Sequence, residues 1–287
     1  MKDVKYFAPT AIDEAVKLLA EYGDRATVLA GGTDLVPRIN YYELKPDVLL
    51  HIGGLSLDYI KEEKGKLVIG AATSTAKLAS DALVAEKANA LAEGAKLSGS
   101  VATRNAATIG GNLANASPAA DLATPLLVMD AELHLTGAGG KRTVAIQDFF
   151  TGSGETVLEP DELVIEIHVP PIKGKTVFLK LGRRKAMTLS VVNVAVHLHM
   201  AEKKCNEARI ALGAMAPTPV RCLKAEEMLK DKALDAALIA DCAAKAVAES
   251  NPIDDQRATA WYRRKAGTAL VERALRQAAG IENEERR

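Results

Sequence analysis

Apolar residues along this chain fall into two rhythms, a helical spacing and a shorter alternation or run, and the switches between them outline its elements. Ala15, Val16, Leu18, Leu19 and Tyr22 make one helical stripe. Thr10 and Asp13 precede it in the spacing of a capping box, and Gly23 closes it as a C-cap. A strand at 27–30, a helical stretch at 35–42 with Pro37 in its first turn, and a second strand at 48–52 make the first 53 residues a small βαβ-type unit. Lys64-Gly65 supplies the turn of a hairpin between 57–63 and 67–71. Helical patterns follow at 74–83 and 85–97. Residues 98–121 break the rhythm and are expected to form a long polar loop. A helix at 122–129, a hairpin of 132–136 with 141–146, and a strand at 163–169 stopped by Pro170-Pro171 follow.

Beyond residue 172 the pattern changes again. Antiparallel strands are expected at 177–181, 191–200 and 207–212, then helices at 221–229, 234–248 and 259–279, with Trp261 anchoring the last. The expected fold is α/β plus α+β in three parts, 1–53, 54–172 and 173–287, the last part holding a three-stranded antiparallel sheet with helices. No internal repeat is present.

Composition narrows the classes of function. The chain has 287 residues, 48% of them hydrophobic, enough for a sizeable core. Its 37 basic and 37 acidic residues cancel, which argues against a nucleic-acid partner, since phosphate binding draws on a basic surplus. Aromatics at 4% leave little for base stacking. Cys205, Cys222 and Cys242 contain no CxxC pair, so they read as buried thiols in a reducing cytoplasm rather than cluster or zinc ligands. No apolar run approaches about 18 residues, so no membrane span is expected. The opening MKDVKYFAPT lacks the apolar core of a secretory signal, and a cytoplasmic location is expected.

Candidate chemistry concentrates in two glycine segments. In the first, Leu29-Ala30-Gly31-Gly32-Thr33-Asp34-Leu35, a strand runs into two glycines and a hydroxyl. It is neither G-x-G-x-x-G nor a P-loop, and taken alone it suits a tight turn better than an anion cradle. The second runs from Thr108 through Ile109, Gly110, Gly111 and Asn112 to Ser117 and Asp121, small and almost uncharged. Here Ser117-Pro118 reads as a helix start with Asp121 in its first turn. Two such loops suggest one shared nucleotide-like ligand whose pyrophosphate meets many N–H donors and little cationic charge. His197 and His199 share a strand face but lack a third ligand, so no metal site is expected. The run Arg183-Arg184-Lys185 is either a solvated loop or an attractor for an anionic nicotinamide nucleotide.

The stretches AGGTDLVP at 30–37 and TIGGNLANASPAAD at 108–121 closely resemble the FAD-binding medium subunit of molybdenum hydroxylases, the family of xanthine and carbon monoxide dehydrogenases. FLKLGRRKAMTLSVVNVAV at 178–196, ALGAMAPTPVRCLKAEEML at 211–229 and WYRRKAGTALVERAL at 261–275 extend the resemblance over essentially the whole chain. The resemblance implies an FAD-binding domain of the PCMH type followed by a C-terminal flavoprotein domain. It implies cofactor contacts at Val28, Leu29, Ala30, Gly31, Gly32, Thr33, Asp34 and Leu35, at Thr108, Ile109, Gly110, Gly111 and Asn112, and at Ser117, Asp121, Val164 and Lys180. An aromatic position near the flavin falls on Ser98, a departure from the family pattern. No cysteine precedes Cys205, which separates the chain from the benzoyl-coenzyme-A reductase branch with its cluster-bearing insert. The resemblance further implies a small [2Fe-2S] subunit and a large molybdopterin subunit as partners. Electrons would pass from the clusters through FAD to NAD or another acceptor. No side-chain acid, base, nucleophile or metal ligand is expected in this chain. The rival readings are a self-sufficient flavin oxidase, which needs a substrate pocket and a base, and a flavin-free scaffolding relative, against which the intact glycine loops speak.

Overall fold

The computed structural model describes residues 4–281. Strand β1 (Lys5–Phe7) and helix α1 (Ile12–Tyr22) open the chain, followed by β2 (Ala26–Leu29), α2 (Leu35–Asn40) and β3 (Val48–His51). The three strands form a parallel sheet in the order β1-β3-β2. Ala15 and Leu19 of α1 bury against Leu50, Ile52, Leu55 and Leu57. The expected capping box is displaced. Ala11 is the N-cap and offers no side chain, while the Thr10 N–H donates to Glu14 Oε2 at 3.3 Å. The helix starts one residue later than a Thr10 cap requires, so Glu14 rather than Asp13 stands at the third helical position and reaches back. Gly23 (φ 51°) ends the helix as expected.

The middle of the chain is a five-stranded antiparallel sheet backed by short helices. Its elements are β4 (Ile60–Glu63), β5 (Lys66–Gly70), α3 (Thr75–Ser80), α4 (Ala82–Lys87), α5 (Asn89–Leu97), α6 (Val101–Ala106), α7 (Ile109–Ala114) and α8 (Ala123–Val128). There follow β6 (Glu132–Gly137), β7 (Gly140–Ala145), β8 (Phe150–Gly152), β9 (Glu155–Thr156) and β10 (Leu163–Val169). The sheet order is β4-β5-β10-β6-β7, with β8 and β9 in a separate hairpin. Lys64 (φ 52°) and Gly65 (φ 78°) both lie in the left-handed region, as a primed hairpin turn requires. Leu67, Ile69, Leu133, Leu135, Ile167 and Val169 line the buried sheet face, and Leu78, Leu91, Leu126 and Phe149 close over it.

Two expectations fail here for local reasons. The two helices expected at 74–83 and 85–97 are three: Asp81 leaves the helical conformation and its Oδ1 accepts the N–H groups of Leu83 and Val84, starting α4, and Ala88 (φ −145°) interrupts the helix again before α5. The stretch 98–121 is not one loop. Ser100 caps α6 and Thr108 caps α7. Ser117 caps no helix; its hydroxyl accepts the Ala119 N–H at 3.3 Å, and α8 begins only at Ala123 with no side-chain cap. Asp121 therefore precedes α8 rather than lying in its first turn.

The C-terminal part comprises β11 (Lys175–Gly182), β12 (Ser190–Ala201), β13 (Lys204–Gly213), β14 (Val220–Arg221), α9 (Leu223–Leu229), α10 (Ala236–Ala248) and α11 (Ala260–Ala279). The sheet has four strands, not the expected three. The fourth, β14, pairs Ala211 with Arg221 and Leu212 with Val220, and is too short to leave an alternating signature. Cys222, Ile239, Cys242, Val271 and Leu275 fill the core between this sheet and the helices. Burial pushes the Cys205 thiol up to about 11 and that of Cys242 to about 12, which suits inert core thiols.

Trp261 does not anchor α11. It is 67% exposed, whereas Arg263 is buried and donates to Val191 O at 2.6 Å, Ala214 O at 3.0 Å and Asp255 Oδ1 at 2.7 Å. The inward side of the helix falls at Arg263 and Gly267, and Trp261 stands off it. Phe178, Ala195 and Ala211 of the C-terminal sheet join the core of the middle part, so the two share an apolar seam. Among the described residues no helix is long and apolar enough to cross a membrane.

Candidate functional site

The first glycine segment leaves β2 at the carboxyl edge of the parallel sheet, where open α/β sheets place their ligands. Val28 and Leu29 are still paired, with Leu50 and His51 of β3. At Gly32 φ is +68°, and a side chain would also meet Val36 and Leu29. Gly31 is closer still to its neighbours. A Cβ built there would lie 1.8 Å from the carbonyl oxygen of Ala106, at the end of α6. Leu35 then begins α2, and Asp34 lies exposed beside Arg38 at 3.8 Å.

The second segment is fixed from two sides. The Gly110 N–H donates to Ala71 O at 2.8 Å, and the Ile109 N–H to Thr73 O at 3.0 Å, tying α7 to the end of β5. A Cβ on Gly110 would sit 2.8 Å from Ala71. Thr108 Oγ1 accepts the Gly111 N–H at 3.1 Å. A Cβ on Gly111 would lie 4.0 Å from that of Ala30. The two glycine segments, far apart in sequence, are thus packed against each other.

Their unsatisfied groups define what this junction can hold. Among the described residues, the backbone N–H groups of Gly31, Gly32, Thr33 and Asp34 find no protein acceptor. Asn112 Oδ1 is buried with no donor. Clustered donors call for an anionic acceptor such as phosphate. A buried lone acceptor calls for a hydroxyl or N–H, since leaving it unpaired costs about 1–3 kcal/mol. A dinucleotide carries both kinds of group, so the residues present fit FAD.

Asp121 and Lys180 are each satisfied by protein. Lys180 Nζ donates to Asp121 Oδ2 at 2.6 Å and to the carbonyls of Leu97 and Thr188, each at 3.0 Å, which uses all three ammonium hydrogens. Asp121 Oδ1 accepts from Ser190 Oγ at 2.6 Å and Asn193 Nδ2 at 3.4 Å. Burial pushes the Asp121 carboxyl up, while the Lys180 ammonium, Ser190 and Asn193 pull it back. Ser190 and Asn193 escaped the sequence reading, although polar residues inside the apolar strand SVVNVAV are themselves a signal for buried hydrogen-bond partners.

The remaining candidates divide. Val164 is buried on β10, beside a bulge between Val164 and Glu166. The Ser98 carbonyl accepts from Arg104 at 3.0 Å. Arg183 donates to Gln256 O at 3.2 Å and Arg184 to Met187 O, so both guanidinium groups brace the β11–β12 connection. His197 Nε2 bonds Lys173 O at 2.7 Å, and His199 faces Asn206 at 3.2 Å.

The chain matches two family models: "FAD binding domain in molybdopterin dehydrogenase" over residues 2–172 and "CO dehydrogenase flavoprotein C-terminal domain" over residues 177–278. It is 33% identical to the glyceraldehyde dehydrogenase medium chain of Sulfolobus acidocaldarius, covering 96% of this chain and 99% of that one. It is 32% identical to the xanthine dehydrogenase FAD-binding subunit of Escherichia coli O157:H7, over 90% of each. A chain in the solved structure of carbon monoxide dehydrogenase from Hydrogenophaga pseudoflava superposes with a TM-score of 0.94 at 34% identity, covering 98% of both chains.

Proposed function

The chain belongs to the family of FAD-binding medium subunits of molybdenum hydroxylases, and from that premise we propose that it is the flavin relay of a multisubunit dehydrogenase. Residues 28–35 would take the FAD pyrophosphate on the free N–H groups of Gly31 to Asp34. Thr108, Ile109, Gly110, Gly111 and Asn112 would form the facing side, with Asn112 Oδ1 accepting from the cofactor. Ser117, Asp121, Val164 and Lys180 complete the proposed set. The units 1–53 and 54–172 would hold FAD between them, and 173–287 would close the site.

Bound FAD would supply the redox chemistry that links [2Fe-2S] clusters of a small partner subunit to NAD or another acceptor. Oxidation of the organic substrate then belongs to a large molybdopterin subunit. One observation supports this division: the relatives are named as medium chains or FAD subunits of dehydrogenases. The proposed location is the cytoplasm.

The observation that carries the reading is the contact between two glycine segments that together leave four donors and one buried acceptor unpaired. The test is to mix the purified chain with FAD, desalt it, and record the flavin spectrum before and after denaturation. Flavin retained by the native chain and released by denaturation supports non-covalent binding. A chain that retains no flavin overturns the proposal.

A further inference from the structure

We infer that Ser190 and Asn193 of β12 are positioning residues for the cofactor site: they hold Asp121 as a carboxylate against Lys180 and thereby fix the turn that follows the second glycine segment. The inference rests on the FAD reading above.

Both side chains are fully buried in a strand whose neighbours are valine and alanine. Asn193 uses both of its amide hydrogens and its carbonyl oxygen. Its Oδ1 accepts from Thr124 Oγ1 at 2.7 Å, and its Nδ2 donates to Ala120 O at 3.3 Å and Asp121 Oδ1 at 3.4 Å. Gly213 stands opposite Asn193 on β13, and a Cβ there would lie 2.3 Å from Asn193 Oδ1. Glycine at that position keeps the amide in place. The next residue, Ala214, donates its N–H to Pro118 O at 2.7 Å. The turn 118–121 is therefore gripped along its length by β12 and the end of β13.

That grip reaches the proposed site through the chain. Three residues, 115–117, join the turn to α7, which carries Gly110, Gly111 and Asn112. It is also expensive as mere glue. A buried ion pair gives little net stability over an apolar contact of the same size. The two parts already share an apolar seam through Phe178, Ala195 and Ala211. A polar clasp beside such a seam adds precision of placement, because each hydrogen bond fixes a direction as well as a distance.

The consequence is measurable as a pH profile. Lys180 on β11 and the neutral Ser190 and Asn193 on β12 face the carboxylate. Removing a donor favours the protonated acid, which releases Lys180 and loosens the turn. FAD affinity should therefore fall at a higher pH in Ser190→Ala than in the wild type. We expect the midpoint of that fall to rise by about one pH unit, giving a loss of affinity of about threefold midway between the two midpoints and approaching about tenfold below both. Thr124→Val, which keeps volume and frees Asn193, should shift the midpoint in the same direction by less. Asp121→Asn removes the titrating group and should flatten the profile.

The experiment is FAD titration of the full chain from about pH 5 to pH 9, with circular dichroism on each variant to select folded protein. A loss of affinity that is equal at every pH in both Ser190→Ala and Thr124→Val would mean a purely structural role and overturn the inference. So would unchanged profiles in both. Should Ser190→Ala not fold, Thr124→Val decides by the same criterion. A wild-type chain that binds no FAD overturns the cofactor reading itself, and this inference with it.

Discussion

Gly31 approaches Ala106 so closely that a methyl group on Gly31 would stand 1.8 Å from the Ala106 carbonyl oxygen. Only hydrogen fits there. The first glycine segment is thus defined by contact with the backbone at the end of α6, as much as by its own turn.

Gly31→Ala should separate the two segments. We expect a stability loss of about 1–3 kcal/mol from overpacking against a carbonyl that has nowhere to go. FAD affinity should fall at least about tenfold, since 1.4 kcal/mol of misplacement is a decade. Gly32→Ala should cost about 1–2 kcal/mol for a different reason, the left-handed φ of +68°. Urea unfolding and FAD titration of both variants check the ordering.

Asn112→Leu should move two quantities in opposite directions. The unpaired buried Oδ1 is a liability in the cofactor-free chain, so its removal should raise the apoprotein's stability by about 1 kcal/mol. The same change deletes an acceptor for the cofactor and should weaken FAD about tenfold. Thermal melting without FAD, and titration with it, give the two signs. A destabilised apoprotein would mean that Oδ1 is satisfied by something other than cofactor.

Acid should loosen the polar face of the five-stranded sheet. The rings of His134 and His168 stack with centroids 3.7 Å apart, and His134 Nε2 is buried without a partner. Burial, then the neighbouring His168, hold His134 below its ordinary value of 6.5. Its folded form prefers to be neutral, so its contribution is complete above that value. The contribution is lost as pH falls through 6.5 toward the lower folded value. Burial depresses His197 in the same direction, so it adds to the same limb. The carboxylates Glu132 and Glu166 are also depressed, and their contributions vanish at lower pH still. Melting temperature against pH should show the histidine limb first, and His134→Gln should shrink it.

Arg263→Ala should be among the most damaging single changes in the C-terminal part, at about 3–5 kcal/mol, because it leaves two buried carbonyls and Asp255 without their donor. Trp261→Ala, two positions away and 67% exposed, should cost less than about 0.5 kcal/mol. Denaturant unfolding of the pair tests which residue anchors α11. Equal costs would restore the anchoring role to the tryptophan.

That contrast shows where sequence reasoning stops. Hydropathy ranks Trp261 as core and Arg263 as surface. The orientation of α11 against β12 reverses both, and a guanidinium is tolerated inside because two carbonyls and a carboxylate happen to converge on it. The fourth strand of the C-terminal sheet was illegible for another reason. Two residues carry no period, and β14 exists because β13 offers a free edge. Asp81 shows a local signal that was legible but unread, since an aspartate before a helical stripe is a cap as well as a helix breaker.

The sequence by itself determined the longer strands and helices, the Lys64-Gly65 hairpin, the Gly23 stop and the two glycine segments. Turn type, capping and apolar period depend on neighbours within a few residues, so they can be read along the chain. Only the tertiary structure decided that Gly31 meets Ala106, and that Asp121 meets Lys180, Ser190 and Asn193, which lie 59, 69 and 72 positions away. A carboxylate taken out of water must find donors, but nothing local to it says which. The packing of β11 and β12 against the turn at 118–121 delivers them.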